Sequence, residues 1–372
     1  MEPHGHDSSH VQVDAGRRAR SFLRGLTGAA ALVAAAVLGG CGGSASSPPA
    51  KTTALVAIGA GLHGPAGLKA SVYAQGPATT SAFALDGKGR LWLTAAGLEA
   101  HVHDGVYMVG KAGAGALKVV SGLKDPLGIV WDAGRLYVAS VGRVDEYSGF
   151  DGLRFAEHRE IVSGPVAGGE NNLLAVAPNG RLVMGVTATC DHCKPASRYS
   201  GSIVSFKTDG SDLRIYASAI RAPVGLAFVP GTSDLLASMN QRDDLGAKTP
   251  GDWLALVGEG ENWRFPGCYG QGGAACSGVP QPTAVLDKHA AVGAIALVSG
   301  TLVKGTGTSA LVAEWSTSKV QRVSLVKSGS GYEGSVSSFL TGVRNPLAMV
   351  LAADGSLLVG DWATGMIYRV SA

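Results

Sequence analysis

Four side chains that carry charge or a proton recur at one fixed point in this chain. Lys124, Arg221, His289 and Arg344 each precede a short apolar run, two residues ahead of the proline in KDPLG and at the matching place elsewhere. Two further segments place Ala78 and Gly169 there. A ring of cations around one opening favours an anionic ligand, because low-dielectric walls focus the potential and arginine grips a carboxylate through paired hydrogen bonds. The segment GGENNLLAVAPNGRL, residues 168–182, lacks the charge but sets Glu170, Asn171 and Asn172 beside that point. Glu170 can act as a base if burial lifts its pKa toward the working range. One residue along an extended strand points the other way, so it serves only where the turn is irregular.

A ring requires equivalent elements to carry it, and the sequence supplies six. TTSAFALDGKGRLWLTAA, DPLGIVWDAGRLYVAS, NNLLAVAPNGRLVMGV, APVGLAFVPGTSDLLASM, AAVGAIAL with GTSALVAEW, and NPLAMVLAADGSLLVGDW share one grammar. Each has a lead-in turn, an alternating apolar run, a tight turn, then leucine and a second strand. The leucines are 91, 136, 182, 235, 311 and 357, spaced by 45, 46, 53, 76 and 46 residues. A third strand often follows, as in GVYMVG, GSIVSFKTDG and GMIYRVS. Repeats of about 40–50 residues built from short strands are the signature of a β-propeller. The expected fold is all-β, a six-bladed β-propeller of four-stranded antiparallel blades filling residues 53–372. The innermost strand of each blade then lines a central channel, and the lead-in turns share one of its mouths.

Composition agrees with a large folded body: 46% of the 372 residues are hydrophobic, 16% are charged, and 55 are glycine. Residues 1–40 carry four arginines against Glu2, Asp7 and Asp14, so the rest of the chain holds 27 basic and 25 acidic groups. That near-neutral body has no electrostatic footprint for nucleic acid. Arg17, Arg18, Arg20 and Arg24 precede the apolar run LTGAAALVAAAVLGG, which is too short to span a bilayer comfortably. The run ends in Leu38-Gly39-Gly40-Cys41, similar to the lipobox of bacterial lipoproteins. The expectations are a signal peptide over 1–40, lipidation at Cys41 and a flexible tether over 41–52. They place a monomer in the bacterial cell envelope, touching the membrane through its lipid. Cys190, Cys193, Cys268 and Cys276 then lie in an oxidising compartment, where disulfides are the default. The close pairs 190–193 and 268–276 are the expected connectivity of three. CDHC with His192 also suits zinc or a redox pair, although no second tight pair completes a four-ligand zinc site.

From GLKDPLGIVW to the C-terminus, about 250 residues, the chain resembles the glucose/sorbosone dehydrogenase family. The motifs that carry the likeness include AIRAPVGLAFVPGTSDLLASMNQRDDLG, TPGDWLALVGEGENWRFPGCYG, DKHAAVGAIAL and GVRNPLAMVLAADGSLLVGDW, in the family's order. CDHC and the CYGQ…C pair look most like its sorbosone-dehydrogenase branch. The resemblance implies a six-bladed quinoprotein that holds pyrroloquinoline quinone (PQQ) and calcium. Such a protein oxidises a sugar or sugar aldehyde by hydride transfer to the quinone. It maps the family's basic histidine onto Gly169, leaving Glu170 or His289 as the base. Arg221 matches an arginine facing the quinone, though the asparagine after it is Ala222 here; Lys124, Arg344, Asn171 and Asp361 complete the implied cofactor contacts. The calcium loop keeps Asp252, replaces its acidic neighbour with Trp253, and has Asp243 and Asp244 nearby.

Two other functions fit the same residues. A non-catalytic envelope propeller would use this face for an anionic glycan or a protein partner. A metal-dependent lactonase would need a glutamate with several Asp or Asn on the axis, of which Glu170, Asn171 and Asn172 form a fragment. There is no GxSxG, and Gly113-Ala-Gly115 lacks the third glycine and the strand–helix setting of a dinucleotide site.

Overall fold

Hairpin chemistry makes the blades. At the turn joining first and second strands, Asp86 accepts the backbone N–H groups of Lys88 and Arg90 at 2.8 and 3.0 Å, and Gly89 adopts a left-handed φ of 74°. Asp354 accepts the N–H of Ser356 and Asn179 that of Arg181 in the equivalent turns of two other blades. Aspartate or asparagine followed by glycine is the residue set that such turns demand.

The computed structural model describes residues 54–164, 169–195, 197–300, 302–303 and 307–372. The expected signal peptide (1–40), Cys41 and the tether (41–52) lie outside the described residues. The rest forms six antiparallel sheets. Their first strands are Thr80–Leu85, Gly128–Asp132, Asn171–Val176, Pro223–Phe228, Val292–Val298 and Pro346–Leu351, which open blades one to six. Each first strand lies against the first strand of the next blade, and the sixth lies against the first, so the ring closes. Helix is confined, among the described residues, to two 3₁₀ turns, Gly246–Lys248 and Ala274–Cys276.

Closure uses the N-terminal end of the domain. Blade six has three strands from the C-terminus, and Lys69–Gln75 pairs antiparallel with Met366–Ser371 as its fourth. Two short strands, Val56–Gly59 and Leu62–Gly64, extend blade five beyond its own four. The fold is the expected propeller of four-stranded blades, with this addition.

Six buried apolar clusters hold the blades together, one at each blade interface. Trp92, Leu136, Val138 and Tyr147 join blades one and two; Val183, Ile203, Leu226 and Leu235 join three and four. Burial of this kind contributes about 25 cal/mol per Å² of apolar surface. Near the axis the inner strands approach so closely that side chains are excluded. A β-carbon on Gly128 would stand 2.3 Å from the Asn172 carbonyl oxygen, and one on Gly225 2.3 Å from that of Gly293.

Strand alternation puts the six lead-in turns and the six connections between second and third strands at one mouth of the channel. The aspartate–glycine hairpins lie at the other.

Candidate functional site

The lead-in face is densest where blades three, four and five meet. Arg221 stands on the lead-in turn of blade four. Its Nη1 donates to the Asn240 carbonyl oxygen at 3.0 Å, and its Nη2 donates to Asp191 Oδ1. Asp191 comes from the Cys190–Cys193 loop of blade three, which is closed by a disulfide. That bond consumes both thiolates and so overturns the zinc reading of CDHC. Cys268 and Cys276 are bonded as well. His192 does not face a metal; its Nε2 lies 3.0 Å from the Pro266 carbonyl oxygen.

From Arg221 the polar chain continues to His289. The N–H of Asp243 donates to Asp191 Oδ1 at 3.2 Å, and Asp243 Oδ1 lies 2.8 Å from His289 Nδ1. His289 Nε2 sits 2.9 Å from the Gly246 carbonyl oxygen. A carbonyl only accepts, so it favours a proton on Nε2, and the carboxylate favours one on Nδ1. The hydrogen bond that His289 Nδ1 donates to Asp243 raises the His289 pKa above its ordinary value. Both ring nitrogens of His289 face acceptors, which makes it a poor candidate for the base expected of it. Its place in the ring is also corrected. Val292 pairs with Glu314 as Pro223 pairs with Met239 and Pro346 with Asp361, so the residue equivalent to Arg221 and Arg344 is Ala290. His289 lies one residue earlier.

Asp252 is buried beside this chain, 2% exposed, immediately before the third strand of blade four. Its Oδ1 accepts the N–H of Gln241 at 2.7 Å, while Oδ2 is buried without a hydrogen-bond partner. Burial pushes its pKa up to about 6. The same connection buries two more unpartnered oxygens, Asn240 Oδ1 and Gln241 Oε1, and Arg221 Nε beside them is also unpartnered. Asp244, the second expected metal ligand, is engaged otherwise: Arg242 grips both its oxygens, at 2.6 and 2.5 Å, and lowers its pKa.

The remaining expected residues divide. Arg344 and Lys124 are exposed at the same mouth. Asp361 is buried and caps the blade-six lead-in turn, accepting N–H groups of Arg344, Asn345 and Ala363. Asn171, fully buried, spends its Nδ2 on the Ser140 carbonyl oxygen at 2.7 Å. Asn172 bridges Thr187 Oγ1 and the Pro223 carbonyl oxygen. The pair ties blade three to its neighbours. Glu170 is exposed, and its carbonyl oxygen accepts the Thr187 N–H at 3.0 Å. Gly169 is wedged in place: a β-carbon there would stand 1.9 Å from the Thr187 carbonyl oxygen.

Asp191, Asn240 and Gln241 were not singled out from the sequence. The signal for Asp191 is its position inside CDHC, between two cysteines whose bond fixes the loop that carries it. A further polar group lies at the same mouth in blades one and two. His101 Nδ1 lies 3.0 Å from Asp104 Oδ2 and 3.1 Å from Asp125 Oδ1, the one cluster of metal-ligand types among the described residues. Its carboxylates already accept the N–H groups of Gly97, Leu98 and Asp125, which closes the loop on itself.

No protein-family model matches the chain, and no curated protein matches it. Solved structures do. An aldose sugar dehydrogenase from Streptomyces coelicolor in its PQQ-bound form superposes with a TM-score of 0.67 at 18% identity, over 83% of this chain and 99% of that one. The chain shares its fold. The holo PQQ domain of pyranose dehydrogenase from Coprinopsis cinerea gives 0.66 at 15% identity, over 87% and 98%. A calcium structure of a family AA12 carbohydrate-active enzyme from Trichoderma reesei gives 0.66 at 16%, over 88% and 99%.

Proposed function

We propose that this chain is an envelope quinoprotein that oxidises a sugar, holding a hard cation and an anionic quinone on the lead-in face. One observation carries the reading. Asp252 Oδ2, Asn240 Oδ1 and Gln241 Oε1 are buried without partners on one short connection beside Arg221. Buried polar atoms are nearly always satisfied, and an all-oxygen set that includes a carboxylate is what calcium takes. Arg344 and Lys124, exposed at the same mouth, supply charge for the carboxylates of PQQ. The solved structures of like fold support the choice, since their names join PQQ, calcium and sugar oxidation.

When bound, the quinone supplies the hydride acceptor. The chain's part is to orient the sugar and take its proton. With both ring nitrogens of His289 facing acceptors, Glu170, an exposed carboxylate at the same mouth rather than the buried one first expected, is the group we assign to the proton. Residues 1–52 fit an exported, lipid-anchored monomer attached through Cys41.

The full chain, loaded with calcium and PQQ, is to be assayed by dye reduction with a panel of aldoses. Expected is sugar- and quinone-dependent reduction that is lost in Glu170→Gln and in Asp252→Asn. Failure of PQQ to bind would overturn the reading. A second reading, a non-catalytic envelope propeller for a glycan or protein partner, is favoured by the crowding at Gly169. In that case binding survives without any dye reduction.

A further inference from the structure

CDHC lies between the second and third strands of blade three, at the lead-in mouth, and its two central residues hold different neighbours. Asp191 reaches blade four, where its Oδ1 accepts Arg221 Nη2 and, at 3.2 Å, the N–H of Asp243. His192 lies against the connection between the third and fourth strands of blade four. Its Nε2 is 3.0 Å from the Pro266 carbonyl oxygen, and its ring meets Tyr269 edge-on with centroids 5.8 Å apart. The Cys190–Cys193 bond closes the loop that carries both residues.

The two disulfides differ in what surrounds them. Cys268 and Cys276 are 7% and 8% exposed, inside the apolar cluster that joins blades three and four. Cys190 and Cys193 are only half-buried, and the Asp191 side chain between them is 39% exposed. Thiol–disulfide exchange needs a thiolate to reach one sulfur of the bond, so access favours the blade-three pair. That pair also spans the shorter separation, three residues against eight. A short closed loop restricts the unfolded chain least, so opening it costs the fold least.

We propose that Cys190–Cys193 is a thiol-exchange site opened by a dithiol, and that opening it frees Arg221 to take an anion. One thiolate of the dithiol attacks a sulfur of the bond and forms a mixed disulfide, which its second thiol resolves. Two electrons and two protons pass to the cysteines, which become free thiols, and the dithiol leaves as a disulfide. With the bond intact, Asp191 is a tethered carboxylate beside the guanidinium. Tethering gives it a high effective concentration, against which a carboxylate from solution must compete. Opening the loop gives residues 190–193 more conformations and lowers that concentration. Extending this to the carboxylates of a quinone rests on the sugar-oxidising reading; the exchange itself and the freeing of Arg221 do not.

The test equilibrates the full chain, free of quinone and calcium, with increasing dithiothreitol. Free thiols are then alkylated and located by mass spectrometry. Cys190 and Cys193 should be labelled at a concentration at least about tenfold below the one that opens Cys268–Cys276. In the opened protein the Asp243 amide should exchange its hydrogen faster, since its acceptor has left. Citrate, titrated by calorimetry, should bind about tenfold tighter than to the oxidised protein. Asp191→Ala should show both changes while still oxidised, and dithiothreitol should then add little to either. The double substitution Cys190→Ser, Cys193→Ser should show them with no dithiol present. The inference is overturned if the two bonds open together, if opening leaves Asp243 exchange unaltered, or if citrate binds no tighter to the opened protein. These changes without any sugar-dependent turnover would sink the proposed activity and spare this inference. Turnover in a chain whose Cys190–Cys193 bond resists the dithiol would do the reverse.

Discussion

Gly169 and Thr187 meet backbone to backbone, with no room for even a methyl group between them. The Thr187 carbonyl is held from its other side by Ser200 Oγ at 3.3 Å, and the Thr187 N–H is paired with Glu170. The position where the resemblance expects a histidine is thus closed by main chain. Adding a side chain is an overpacking change. Gly169→Ala is expected to cost about 1–3 kcal/mol, read from denaturant unfolding. Gly169→His should add no turnover. An unaltered unfolding midpoint for Gly169→Ala would show that the lead-in turn yields freely.

Asp252 and Glu314 make stability depend on pH in a defined direction. Burial pushes Asp252 to about 6 and Glu314 to about 7. Both values are raised over the unfolded chain, so the native state keeps protons that the unfolded state has released. Stability from these groups therefore falls as pH rises from about 4 to about 7, and is level beyond. The doubly substituted Asp252→Asn, Glu314→Gln protein should match the wild type near pH 4. It should exceed the wild type by a few kcal/mol above about pH 7, since a tenfold difference in proton affinity between folded and unfolded chain is worth about 1.4 kcal/mol. Unfolding midpoints across that range measure the difference, and a constant offset would contradict it.

Calcium should reverse part of that penalty. A cation bound to Asp252 Oδ2 needs the ionised carboxylate, so calcium should raise the thermal midpoint at pH 8 and do little below about pH 6. Magnesium, which surrenders water reluctantly, should raise it less. Asp252→Asn should remove the calcium effect. A calcium effect that persists in Asp252→Asn would place the ion elsewhere, and the His101, Asp104 and Asp125 cluster would then be the first place to look.

The raised pKa of His289 rests first on Asp243. In Asp243→Asn the histidine loses the ionised acceptor that raises its pKa. Its ring resonances in NMR should then titrate at a lower pH than in the wild type. The stability that this pair contributes is fully present at low pH and is lost as pH rises through the folded pKa of His289. A midpoint unchanged by the substitution would show that Gly246 alone holds the proton.

The repeat period, the Asp-Gly hairpin turns and the paired cysteine spacings are local patterns, and they were legible in the chain alone. They determined the six blades, the shared mouth of the lead-in turns and both disulfides, because each depends on residues a few positions apart. Four features depend instead on where distant segments meet. Lys69–Gln75 closes blade six against the C-terminal strand, a pairing across nearly the whole domain. The pairing of Val292 with Glu314 moved His289 out of the ring by one residue, a slip that apolar pattern alone does not detect. The Thr187 carbonyl fills the space at Gly169, and Asp191 crosses from blade three to neutralise Arg221. A sequence shows which residues are able to ionise or to turn, whereas packing decides which of them are left with unpartnered buried atoms, and on the lead-in side of blade four those include Asp252, Asn240, Gln241 and Arg221.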